Sequence, residues 1–170
     1  MARGVFSLNR VYKKQFQNVN DGNFESWPES ATYGYFGGGF TPGVVCTIDR
    51  LDFSNETVSR PDNDLPDTKG RTAAVSNNLY ACFGGGPGSG NAEILRLDFS
   101  NETTSTSPAT LSQSRTRLAA TSSNYYGYFA GGNSPGISAR VDSFDFSTEV
   151  AVQAANDLIN STNDFDAVSN

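Results

Sequence analysis

Apolar and polar positions alternate along the chain in short runs that stop at glycine, and the runs recur. Residues 33–39 read YGYFGGG, 80–86 read YACFGGG and 126–132 read YGYFAGG, placing Phe36, Phe83 and Phe129 at intervals of 47 and 46 residues. Alternation over five residues predicts a strand, and the closing glycines predict a turn that needs positive φ or a close backbone approach. A second phrase keeps the same beat: LDFSNET at 51–57 and 97–103, and FDFSTEV at 144–150. Two independent phrases on one period of this length mark a repeat architecture.

Each unit can be read further. An opening strand is predicted at RTAAVSN (71–77) and RLAATSS (117–123), whereas the first unit has FESWPES (24–30), where Pro28 removes a ladder donor. After each glycine turn comes another run, VVCTIDRLDF, AEILRLDF or ARVDSFDF, ending in an Asp-Phe-Ser turn. A fainter fourth element and a polar loop follow (SRPDNDLPDTKG, SPATLSQS). The expectation is all-β: four-stranded antiparallel units at 24–70 (opening strand degenerate), 71–116 and 117–163. Residues 164–170 then align with 71–77 as the opening strand of a fourth, incomplete unit.

Two readings of that last stretch stand open. Either the natural chain continues beyond it, which the sequence favours, or it completes the first unit of a neighbouring chain, linking subunits head to tail. Residues 1–23 lie outside the repeat. Val5, Phe6, Leu8, Val11, Tyr12 and Phe16, with Arg10 beside them, predict an attachment arm that packs either on its own repeats or on a neighbouring subunit.

Composition agrees with short strands and tight turns: 17 Gly, 12 % aromatic residues and many Ser, Thr and Asn. The net charge of −6 conceals a basic head, since four of the 12 Lys and Arg fall in the first 14 residues, where there is no Asp or Glu. The remaining acidic body is unsuited to phosphate neutralisation, so no nucleic-acid partner is expected. No apolar run of 18 residues and no secretory signal pattern occur, so neither membrane insertion nor a signal peptide is expected.

The chain contains no histidine, which removes the commonest general base and the commonest zinc ligand. The glycine phrases are followed by Pro/Gly loops, not by a helix N-terminus, so they do not read as a phosphate cradle. Repeated Asp and Asn in the DFSNET phrase fit backbone-bonding turns better than a Ca²⁺ site. Asn55 and Asn101, in sequons, are turn residues by the same argument. Cys82 stands where Tyr35 and Tyr128 stand in the other units, and a free, packed thiol is expected there. No catalytic, cofactor-binding or metal residues are assigned, and no enzymatic activity is expected; a glycoside hydrolase using a carboxylate pair is the remote exception.

Four short strands in about 46 residues with a glycine pair after the second resemble the kelch repeat, a β-propeller blade. Arg71, Ala73, Val75, Tyr80, Phe83, Gly84, Gly85, Leu97 and Asp98 carry the likeness, repeated at Arg117, Ala119, Thr121, Tyr126, Phe129, Gly131, Gly132, Phe144 and Asp145. Phe36, Gly37 and Gly38 are the corresponding blade-defining residues of the first unit. The late Trp usual in kelch blades is missing. The wording YGYFGGG followed by RLDFSNET is also similar to divergent propeller repeats in virion structural proteins of tailed bacteriophages, notably those infecting marine cyanobacteria. That resemblance implies a tail fibre or appendage component located in the virion. It would be anchored to other virion proteins through its N-terminal arm, homo-oligomeric, and able to present its blades to a host glycan or surface protein. A non-viral kelch-like binding module is the alternative.

Overall fold

The computed structural model describes residues 31–87, 92–133 and 135–169. The arm at 1–23 and the degenerate opening stretch at 24–30 lie outside the described residues.

Three antiparallel meanders follow one another. The first sheet holds β1 (Tyr33–Gly37), β2 (Ile48–Asp52) and β3 (Thr57–Ser59). The second holds β4 (Ala73–Ser76), β5 (Tyr80–Gly84), β6 (Glu93–Asp98) and β7 (Thr104–Thr110). The third repeats the second with β8 (Ala119–Ser122), β9 (Tyr126–Ala130), β10 (Val141–Asp145) and β11 (Val150–Gln153). The fold is therefore all-β, with sheets of three, four and four strands, each strand hydrogen-bonded to its sequence neighbour. Closure of these sheets into a propeller ring is not seen among the described residues.

Two sequence expectations are corrected. Residues 107–110, read as loop, belong to β7, the longest strand among the described residues; TSTSPAT carries no apolar alternation because it is an outer edge, where Pro108 is tolerated. Residues 164–169 form no strand, because no neighbouring strand pairs with them among the described residues.

The core is divided into two layers, one between each pair of adjacent sheets. Ile48 of the first sheet meets Leu65, Ala81, Phe83, Leu95 and Leu97. Val75, Tyr80, Cys82 and Ile94 of the second meet Leu118, Phe129, Phe144 and Phe146. At the centre of each layer the repeated Phe of one sheet lies on a glycine of the sheet before it. A methyl on Gly37 would sit 2.8 Å from the Phe83 ring, and one on Gly84 2.7 Å from the Phe129 ring. Glycine here permits ring-on-backbone contact, and each buried Phe gains roughly 1.5–3 kcal/mol from its removal from water.

The glycine two residues after each repeated Phe serves the chain path. Gly38, Gly85 and Gly131 have φ of 76°, 78° and 64°, and their backbones press against the carbonyls of Lys69, Arg115 and Thr162. The next residues, Gly39, Gly86 and Gly132, donate N–H to those same carbonyls at 2.7, 3.0 and 2.8 Å. Positive φ and close approach are thus both required. The connection from one sheet to the next is stapled to the strand end it passes.

These connections also carry two buried cations. The Arg115 guanidinium, fully buried, donates to the carbonyls of Gly131 (2.8 Å) and Arg140 (2.6 Å) and pairs with the Asp142 carboxylate. Lys69, one repeat earlier and also buried, donates to the Glu93 carbonyl at 3.5 Å. Burial pulls both pKa values down; the Asp142 charge and hydrogen bond oppose this for Arg115.

Phe129→Ala is expected to cost about 3–5 kcal/mol in urea-unfolding experiments on dilute protein. Phe36→Ala is expected to cost about 0.5 kcal/mol or less there, because that ring is solvent-exposed. Equal losses would contradict the layered core.

Candidate functional site

Sheet-to-sheet contact repeats in its polar groups as well. In β1 and β2, Tyr33, Tyr35, Gly37 and Arg50 share the face turned to the second sheet, as the cross-strand pairs Tyr35↔Arg50 and Gly37↔Ile48 require. Arg50 pairs with Glu102 at 2.7 Å, and Tyr35 donates its hydroxyl to the same carboxylate at 3.0 Å. One repeat on, Arg96 reaches Glu149 at 3.5 Å, and Tyr80, the counterpart of Tyr33, donates to the Phe146 carbonyl at 2.6 Å. Phe99 stacks on Tyr35 at 5.3 Å, and Phe146 meets Tyr80 edge-on at 5.6 Å. Burial pushes the Tyr35 phenol up to about 12, with the Glu102 hydrogen bond adding to it, and burial lifts Tyr80 to about 12. Both tyrosines therefore stay protonated donors.

Against that pattern, one face stands out. The first sheet turns Phe36 and Val58 away from the second sheet, and Phe53 lies against Gly34 on the same side. Phe36 is 62 % exposed, whereas its counterparts Phe83 and Phe129 are 3 % and 0 % exposed. Phe53 is also exposed, while its counterpart Phe146 is buried. Glu56, the counterpart of Glu102 and Glu149, shares their positive φ (59° against 55° and 52°) but is exposed, with no ion pair among the described residues. A surface made of the same parts as two buried interfaces is here uncovered.

The far side of the third sheet is similar but not identical. Tyr126, Val150 and Val152 are exposed there. Ala130 replaces Gly37 and Gly84, and Ser143 replaces Arg50 and Arg96.

A third feature is the space where the inner strands converge. Ala74–Ser76 of β4, Ala120–Ser122 of β8 and residues 167–169 line a cavity of about 400 Å³ together with Tyr33 and Tyr35. Thr121 Oγ1, buried beside it, has no hydrogen-bond partner among the described residues. Loop tips form the fourth. Leu79 and Tyr125 occupy one repeat position, both largely exposed, on turns held by Asn77 and Ser123.

The DFSNET carboxylates are spent locally. Asp52, Asp98 and Asp145 accept from the N–H and hydroxyl of Ser54, Ser100 and Ser147 at 2.6–2.9 Å. Asn55 and Asn101 do the same for Thr57 and Thr103. These are Asx turns, as the spacing suggests. No group of three or more His, Cys, Asp or Glu that could hold a metal occurs among the described residues. Cys82 is a free thiol, buried, and pushed up to about 12 by that burial; Cys46 is free and half-buried.

Of the residues singled out from sequence, Phe83, Gly84, Gly85, Phe129, Gly131 and Gly132 come together in the interfaces, and Gly37 and Gly38 join them. Phe36 does not. The attachment residues Val5, Phe6, Leu8, Arg10, Val11, Tyr12 and Phe16 lie outside the described residues. Sequence reasoning missed the buried cations Lys69 and Arg115 and the Arg–Glu pairs, although each recurs at one repeat position. Among the described residues no helix is long and apolar enough to cross a membrane. Comparison with family models and with curated proteins yields no match.

Two measurements follow from this chemistry. The Ser54, Ser100 and Ser147 hydrogen bonds hold the pKa of Asp52, Asp98 and Asp145 below the ordinary 3.8. A depressed folded pKa contributes stability above about 3.8 that is lost as pH falls through the lower folded value. Replacing all three Asp by Asn should flatten the decline in melting temperature below pH 4; an unchanged acid limb would refute it. Native protein should present one thiol, Cys46, to an aromatic disulfide reagent, and a second only on unfolding.

Proposed function

We propose that the chain is a structural subunit of a virion appendage of a tailed bacteriophage. In this reading it is built from kelch-like propeller blades, held in the particle by its N-terminal arm and displaying its loops to a host surface. The observation that carries it is the open face of the first sheet, where Phe36, Phe53 and Val58 stand exposed in the pattern that the other sheets bury. Such a patch on a repeat protein marks a surface meant for assembly. The likeness of YGYFGGG and RLDFSNET to phage virion repeats supplies the setting. The basic, apolar-dotted stretch at 1–23 is the natural anchor on an acidic partner.

Host recognition is favoured by the loop tips. Leu79 and Tyr125 project from turns braced by side-chain hydrogen bonds, an arrangement that offers rigid apolar contacts at low entropic cost. The ligand class in this reading is a surface glycan or protein, and no catalytic step is assigned.

Antibody against the chain should label purified particles of the source virus in electron micrographs. A version lacking residues 2–20 should fold but fail to incorporate. Leu79→Ser with Tyr125→Ser should keep incorporation and lower binding to host cells at least tenfold. Absence of the chain from particles would refute the virion reading, and unchanged cell binding would refute the loop assignment.

A further inference from the structure

The open face needs an occupant, and the chain itself carries a segment of the right kind. We propose that a second copy of this chain covers it, with residues 166–169 of one copy adding as the missing edge strand on β1 of the other. This rests on reading the face as an assembly surface, and it does not depend on the virion assignment.

The segment after β11 keeps the geometry of the repeat. Asp164 has φ of 52°, in series with Arg71 at 54° and Arg117 at 57°. Its N–H donates to the Arg117 carbonyl at 3.1 Å, just as the Arg117 N–H donates to the Arg71 carbonyl at 2.8 Å. Phe165 and the Thr162 carbonyl press on Gly131 as Leu118 and the Arg115 carbonyl press on Gly85. Residues 166–169, DAVS, thus begin where AAVS begins β4 and AATS begins β8. They nevertheless pair with nothing among the described residues, and Val168 is 90 % exposed where its counterpart Val75 is 2 % exposed.

Among the described residues the complementary open edge is on β1. Strands β5 and β9 are flanked on both sides, by β4 and β6 and by β8 and β10, but β1 pairs only with β2 among the described residues. A free strand edge beside an exposed aromatic face is a template for another strand. The register follows from the second sheet, where Ala74 lies opposite Phe83 and Val75 opposite Cys82. Transferred by one repeat, Ala167 of one copy lies opposite Phe36 of the other, and Val168 opposite Tyr35.

The same step lays Phe36 and Phe53 against Tyr126, Val150 and Val152 of the third sheet, continuing the two internal interfaces. Two positions make this junction the weakest of the series. The Ala130 methyl meets a ring that a glycine would accommodate, and Ser143 offers no cation to Glu56. The contact is head to tail, so it closes only as a ring. Two copies are the smallest number that can form one.

Sedimentation equilibrium of the full chain tests this. A concentration-dependent species of twice 18.2 kDa is expected. Val168→Asp, at a side chain exposed in the single copy, should abolish it while leaving the unfolding midpoint of the dilute protein unchanged. Ser143→Arg should tighten the dimer roughly two- to fivefold, the worth of one exposed ion pair. Phe36→Cys with Ala167→Cys, in a Cys46→Ser background, should give a covalent dimer on oxidation. A monomer at every concentration overturns the proposal, as does a dimer indifferent to Val168→Asp. A disulfide formed within one chain overturns it too, because the segment then returns to its own β1. None of these results bears on whether the chain is found in particles, so the two readings fail separately.

Discussion

Everything in this molecule depends on an aromatic ring resting on a backbone that has no side chain. Phe83 on Gly37 and Phe129 on Gly84 set the separation of adjacent sheets, because the ring can approach only where a Cβ is missing. With the spacing fixed, Arg50 can reach Glu102, Tyr35 can stack on Phe99, and Tyr80 can find the Phe146 carbonyl. No sheet has a core of its own. Each is stable through the layer it shares, which is how repeat proteins distribute their stability.

The connecting segments show how such a stack tolerates burying charge. Lys69 and Arg115 lie deep in the protein because the chain ends of the following sheet present carbonyls to them, and Asp142 adds a carboxylate to Arg115. Removing one member of that buried pair would strand the other, so the pair fixes the path of its connection more than it adds net stability. The glycine staples, Gly39, Gly86 and Gly132, fix the same path from the other side.

The repeat, the strands that end in glycine and the Asx turns were legible in the sequence because each has a local cause: alternation, positive φ, or a side chain bonding its own backbone. Strand β7 was only faintly so, and its stretch over residues 107–110 not at all, since Thr and Ser at an outer edge leave no apolar signal. The fate of Phe36 was equally invisible. Its surroundings in sequence match those of Phe83 and Phe129, and only the presence or absence of a neighbouring sheet separates an exposed ring from a buried one. Lys69 lay within a polar loop and Arg115 directly after the next one, and their common repeat position in an acidic chain was a signal that could have been used.

The positive-φ glutamates show what the repeat selects for. A non-glycine residue in the left-handed region carries about 1–2 kcal/mol of backbone strain, and glycine would relieve it. At Glu102 and Glu149 the side chain returns something glycine has no means to supply: a charge that finds one arginine on the adjacent sheet and so acts as an alignment key between successive repeats. Glu56 bears the same strain with its key unturned among the described residues. The first sheet is thus tensioned for a neighbour in the same way as the sheets that have one.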